Sequence, residues 1–227
     1  MKSKFFLCMI AATAAAWSCG NRNSSQTKAE EQTETAASDS IKSTTAMDTT
    51  LAFDPASLPE EPIFEIHTTE GTITVLLYKD TPRHRDNFVK LASTRYFDNM
   101  LFHRIIYGFM IQTGDPLTKD PANKSLYGTG GPGYTIPAEF VEGHKHIKGA
   151  LAAARMGDIA NPRKESSGSQ FYIVQNPETC SQLDGEYTVF GETIDGFDVI
   201  DRIAAVRTDA NDRPLKDVRI ISVVPVL

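Results

Sequence analysis

Cysteine is scarce in these 227 residues: only Cys8, Cys19 and Cys180 occur, and Cys8 falls in a segment expected to be removed. What remains can build neither a disulfide framework nor a zinc-ligand set. Basic charge is also short. The 23 Lys and Arg are scattered and stand against 29 Asp and Glu, for a net charge of -6. A nucleic-acid surface needs a basic patch to neutralise phosphates, so no nucleic-acid partner is expected. The apolar run from Phe5 to Trp17 is too short to span a bilayer as a stable helix. Ser166 to Gln170 does not form a nucleophile elbow. Gly128, Gly130 and Gly133 satisfy G-x-G-x-x-G, but no apolar strand precedes them and Pro132 and Pro137 forbid a helix opening there, so the run reads as a turn-rich loop. His144 and His146 lack a third metal ligand nearby and read as a solvated pair. Cys180 has no neighbour in sequence that would activate a thiolate and reads as inert.

The 41% apolar content is enough for a core. Lys2 and Lys4 precede the N-terminal apolar run, and small residues lead from it to Cys19, the layout of a secretory signal. The order Ala16-Trp17-Ser18-Cys19-Gly20 resembles a bacterial lipoprotein processing site, in which the cysteine becomes the lipidated first residue. The expectation is an exported protein of the cell envelope, with a signal peptide at 1–18 and a lipid anchor at Cys19, facing the periplasm. A soluble periplasmic protein, cleaved after one of the alanines, is the alternative. Residues 19–60 are rich in Ser, Thr, Glu, Gln and Ala, with Phe53 the only aromatic, and they bury too little apolar surface to offset the entropy of ordering. They read as a flexible tether with a root-mean-square span of roughly 35 Å. The folded domain is placed at 61–227.

From Ile63 onward, short apolar or alternating runs are broken by Gly, Pro and Asp, the pattern of strands joined by turns. Ile63 to Thr68 and Thr72 to Tyr78 read as a hairpin around Gly71. Thr81 and Pro82 read as the N-cap and first position of a helix that continues to about residue 95. Further strands are expected at Leu101 to Ile106, Phe109 to Gln112, Ala150 to Ala154, Phe171 to Gln175, Thr188 to Phe190 and Val218 to Val224. A second helix is expected at Gly196 to Ala204. The fold class is therefore mainly β: a closed eight-stranded antiparallel barrel capped by two helices. The long stretch between 115 and 149 reads as a functional loop.

One run carries unusual chemistry, Phe102-His103-Arg104-Ile105-Ile106-Tyr107-Gly108-Phe109-Met110-Ile111-Gln112-Thr113-Gly114-Asp115. On a strand from Leu101, Arg104 would share a face with Phe102 and Ile106, and Phe109 would share one with Ile111. A similar mixture recurs at Gly168-Ser169-Gln170-Phe171-Tyr172 and Leu183-Asp184-Gly185-Glu186-Tyr187. With Gly149 to Arg155 and Val189-Phe190-Gly191 also in order, the stretch from about Ile63 to Val224 closely resembles the cyclophilin family. The resemblance implies an eight-stranded barrel and a groove on its outside that accepts a proline-containing unfolded or extended polypeptide. It implies peptidyl-prolyl cis/trans isomerase activity with no cofactor and no metal. It makes Arg104 the catalytic residue and places Phe109, Met110, Tyr172 and Leu183 around the proline ring. Gln112 would orient Arg104 and the substrate carbonyl, and Ala154, Arg155 and Gln170 would contact the peptide backbone. Tyr187 stands where the family usually has His, Tyr172 where it has Phe, Gln182 where many members have Trp, and Arg155 where eukaryotic members tend to have Asn, which would add positive charge to the groove. The alternative is a proline-peptide-binding or chaperone module without catalysis. A monomer is expected.

Overall fold

The computed structural model describes residues 51–227. The expected signal peptide, Cys19 and most of the expected tether lie outside the described residues. The last ten residues of that tether, 51–60, are folded against the domain. Asp54 caps a 3₁₀ turn at Pro55–Ser57 by accepting from the Ala56 N–H at 3.0 Å. The Ala52 N–H donates to the Ser93 carbonyl at 2.8 Å, and Phe53 and Leu58 pack on the core, with the Phe53 ring 5.8 Å from that of Phe64. The lone aromatic of the polar stretch is its anchor, so the folded unit starts ahead of residue 61.

The elements, in order, are β1 (Ile63–Thr68), β2 (Gly71–Leu77), α1 (Pro82–Ser93), β3 (Arg104–Ile106), β4 (Met110–Thr113), β5 (Thr135–Ile136), β6 (Ala150–Ala153), β7 (Ser166–Ser167), β8 (Phe171–Val174), α2 (Pro177–Cys180), β9 (Val189–Asp195), α3 (Phe197–Ala204) and β10 (Ile220–Pro225). Eight strands form one sheet in the order β10-β1-β2-β9-β6-β8-β4-β3, while β5 and β7 pair separately. Every pairing is antiparallel.

The barrel is open, not closed as expected. Its edge strands β3 and β10 share no ladder, and the gap is spanned by the isolated Leu101–Arg219 bridge and by bonds such as Phe102 N–H to the Val218 carbonyl at 2.9 Å. The cause is local: Asn99 takes a left-handed φ of 66°, and the strand expected from Leu101 begins only at Arg104. Phe102 therefore does not share a face with Arg104; it lies in the core with Ile105. Phe109 likewise precedes β4 and packs with Met110 on the outside, while Ile111 points inward.

Two apolar clusters lie on opposite sides of the same strands. Ile111, Leu151, Ala153, Phe171 and Ile173 face the barrel interior, where Phe88 of α1 meets Phe64, Phe97 and Phe171 at ring separations of 5.0–5.6 Å. Met110, Ala150, Ala152, Tyr172 and Val174 face outward into the second cluster. The wall made by β4, β8 and β6 is thus buried on both faces, which explains its nearly continuous apolar sequence.

Helix α1 begins at Pro82 as expected, but Thr81 makes no side-chain cap. Glu139, from the loop between β5 and β6, caps it instead: its carboxylate accepts from the Arg83 N–H at 3.1 Å and the His84 N–H at 3.0 Å, and from His84 Nδ1 at 2.6 Å. The 115–149 loop is organised by Asp115, which is fully buried. Its carboxylate accepts from the N–H groups of Leu117 (2.8 Å), Gly128 and Gly130 (3.3 Å). The glycine run is a turn-rich loop, as expected, and its amides cradle an internal carboxylate.

Candidate active site

Strand register assembles the site. The cross-strand pairs Arg104–Gln112, Gln112–Tyr172 and Tyr172–Ala152 place these four residues in one row across β3, β4, β8 and β6. The Arg104 side chain is 44% exposed. Its Nη1 donates to Gln112 Oε1 at 3.4 Å, and its Nε stands 3.8 Å from Asp212 Oδ2. Both contacts are long, so the guanidinium keeps donors for a further acceptor. Gln112 is fixed from behind, donating from Nε2 to Gln170 Oε1 at 3.0 Å. Gln170 in turn donates to the carbonyls of Gly128 (3.1 Å) and Gly130 (2.7 Å).

Arg104 and Gln112 border an open groove of about 710 Å³. Its apolar wall consists of Phe109, Met110, Tyr172, Leu183 and Tyr187, and Ala154 and Arg155 complete the adjoining side. A second groove of about 820 Å³ continues past Gln112, Ala154 and Arg155 toward Gly131, Met156 and Asn161. Of these two grooves Gln170 lines the second and not the first, and its amide is committed to Gln112 and the glycine loop, so it braces the site. The site thus offers an apolar pocket, a charged donor at its lip and an extended channel beside it. The description Cyclophilin type peptidyl-prolyl cis-trans isomerase/CLD belongs to a family profile that matches residues 63–224.

The chain belongs to the cyclophilin family.

Among its relatives, peptidyl-prolyl cis-trans isomerase CYP18-2 of Arabidopsis thaliana is 36% identical over 168 residues, covering 74% of this chain and 94% of that protein. Peptidyl-prolyl cis-trans isomerase CYP71 of the same plant is 39% identical, but the match spans only 24% of its length. A crystal structure of a cyclophilin type peptidyl-prolyl cis-trans isomerase of Cryptosporidium parvum matches with a TM-score of 0.65 at 29% identity, covering 74% of this chain and 98% of that one. That protein was also crystallised in the presence of the dipeptide Ala-Pro.

Several cyclophilin positions carry their own local chemistry here. Tyr172 brings a hydroxyl into the apolar cluster, and the buried His146 receives it: Tyr172 Oη lies 2.9 Å from His146 Nε2, and His146 Nδ1 lies 2.7 Å from Asp184 Oδ1. A carboxylate only accepts, so Nδ1 carries the proton and the tyrosine donates to Nε2. Burial lowers the His146 pKa, with Asp184 opposing it, and raises that of Tyr172. His144 points elsewhere, to Asp80 at 3.3 Å and to the Tyr78 ring. The two histidines are therefore not a solvated pair, because alternate side chains reach different partners across the chain.

Arg155 does not add a free positive charge to the groove. Its side chain is only 5% exposed, stacks 4.4 Å from the Tyr187 ring and is bound by Asp158 at 2.6 Å and by the Glu186 carbonyl at 2.9 Å. Cys180 is buried and its thiol is pushed up to about 11, consistent with inertness. Sequence reasoning gave no role at the site to His146 and Asp184 behind the pocket, or to His103, Tyr127 and Arg213 at its other edge. For His103 and Arg213 the available signal was the polar character of the 103–104 and 211–213 stretches.

Proposed function

We propose that the protein catalyses cis/trans isomerisation of X-Pro bonds, with Arg104 as the catalytic residue. The observation that carries this reading is a half-exposed guanidinium with uncommitted donors at the lip of an apolar pocket. Amide resonance imposes a barrier of ~20 kcal/mol on the rotation. At the twisted midpoint the proline nitrogen loses conjugation and regains a basic lone pair. A donor aimed at that nitrogen binds the midpoint better than either planar isomer, which is the condition for catalysis. Accelerating the rotation by about four powers of ten takes roughly 5.5 kcal/mol of such preference, within reach of a charge-assisted hydrogen bond plus positioning.

Phe109, Met110, Tyr172, Leu183 and Tyr187 hold the proline ring, immobilising one end of the rotating bond. Gln112 positions Arg104 and meets the substrate carbonyl, while Ala154 and Arg155 border the path of the peptide backbone. The Ala-Pro dipeptide used with the Cryptosporidium parvum relative supports a proline-bearing ligand for this groove. The test is the isomerisation rate of a proline tetrapeptide with native protein and with Arg104→Ala, both confirmed as folded. Loss of acceleration with retained peptide binding is the expected result. Equal rates would refute the role of Arg104, and a folded native protein without acceleration would leave a binding module.

The apolar run at Phe5–Trp17 and the sequence around Cys19 support the further proposal that the substrates are exported proteins and that a lipid at Cys19 anchors the enzyme, facing the periplasm. Release of the Cys19→Ala protein from the membrane fraction is the expected outcome. An unchanged distribution would refute the anchor.

A further inference from the structure

Three arginines border the main groove, and their charges are handled differently. Arg155 is neutralised by Asp158 and Glu186. Arg104 reaches Gln112 and Asp212 at long range. Arg213 has neither an ion pair nor a side-chain hydrogen bond among the described residues, and its Nε is buried without a partner. Yet it is firmly placed. Its backbone N–H donates to Asp209 Oδ1 at 3.1 Å, its carbonyl accepts from the Asp209 N–H at 2.8 Å, and a Thr208–Pro214 bridge closes the turn. Its guanidinium carbon lies 5.0 Å from the centroid of the Tyr127 ring, a cation–π arrangement that favours this position of the charge.

A guanidinium partly withdrawn from water with unfilled donors is costly unless an acceptor arrives. Its planar fork matches a carboxylate bidentately, and in a polypeptide ligand that acceptor comes from an Asp or Glu side chain. Two carboxylates flanking it in sequence make other contacts: Asp209 Oδ1 accepts from the backbone N–H groups of Asn211 and Arg213, and Asp212 Oδ2 faces Arg104 Nε at 3.8 Å. Arg213 lines the main groove together with Tyr127 and Asn211 but is absent from the second groove, so it stands at the end away from the Met156 channel.

We infer that Arg213, held on Tyr127, forms a subsite for an acidic side chain close to the proline, so that the enzyme prefers X-Pro segments carrying Asp or Glu beside the bond it rotates. The inference rests on the isomerase reading of the groove. The subsite is partly open to solvent, so the preference is modest, about five-fold in kcat/KM, and shrinks as salt is added.

The experiment compares full-chain native protein, Arg213→Ala and Arg213→Glu on proline tetrapeptides that differ only by Glu, Gln or Lys at each position flanking the proline. The expected result is a Glu-over-Gln ratio of about five for the native protein, carried in KM, that falls to about one in Arg213→Ala. In Arg213→Glu the order inverts toward the Lys peptide, an outcome that misfolding cannot produce. An active native enzyme without a Glu preference at any position, or a preference that survives in Arg213→Ala, overturns the subsite. Native protein inactive on every peptide overturns the isomerase reading and the subsite with it.

Discussion

His103, next to Arg104 in sequence, should make the stability of this domain depend on mildly acidic pH. Its side chain is almost fully buried, and neither ring nitrogen has a hydrogen-bond partner among the described residues. Burial pushes its pKa down from 6.5 to about 4; Asp115 and the Leu101 carbonyl oppose the shift, while Arg213 and Arg104 reinforce it. Between pH 4 and 6.5 the unfolded chain therefore binds a proton that the folded chain refuses. Stability from this group is fully present above pH 6.5 and is lost as pH falls toward 4. The displacement amounts to roughly 3 kcal/mol, with a slope no steeper than about 1.4 kcal/mol per pH unit. His84 and His146 are lowered in the same direction, so the comparison must be differential. Urea unfolding of native protein and His103→Asn, in steps from pH 4 to 8, should give profiles that diverge by about this amount across the window. Parallel profiles would refute the assignment of a neutral, unsolvated imidazole.

Glu139→Ala should remove the cap of α1 and strand the His84 ring in an apolar site, costing about 3 kcal/mol from the cap and the unpaired buried donor together. In a domain of this size that lowers Tm by about 10 °C, checked by thermal unfolding; a fall of under 2 °C would show that the helix finds another cap. Tyr172→Phe should remove the need for His146. In the native background His146→Leu should raise KM for a proline peptide by loosening the pocket wall, whereas in Tyr172→Phe the same change should do little, a coupling read from a double-mutant cycle. Additive effects would show that the histidine acts independently of the tyrosine.

The hairpin, α1, the α3 face of Val199, Ile200 and Ile203, and the cluster of Arg104 with Gln112 and the apolar wall were legible because each rests on local periodicity or on motifs that survive in order. Other features depended on distant partners. Strand β9 runs on past Phe190, where the expected strand ends, to Asp195, and it does so through Gly191, where a Cβ would sit 2.5 Å from Leu76 O. That close approach is invisible without the neighbouring strand. The length of β3 was overestimated since Leu101 to His103 look like strand but follow a left-handed Asn99. Composition hid the docking of Phe53, as one anchoring ring hardly alters a polar average. His146, Asp184 and Tyr172 are joined across 38 and 26 residues, beyond the reach of any local pattern.

The strands that floor the groove are also the barrel wall, one backbone thick, with Ile111, Leu151 and Ile173 on one side and Met110, Ala152 and Tyr172 on the other. Close-packed interiors transmit a change of volume as a shift of backbone, and catalysis tolerates little displacement of its positioned groups. A mutational map of this enzyme should therefore be larger than its binding site: substitutions inside the barrel, out of reach of any peptide, will register as altered turnover. Engineering the groove for a new substrate and repacking the interior for heat resistance cannot be pursued as separate tasks, because both act on the same three strands.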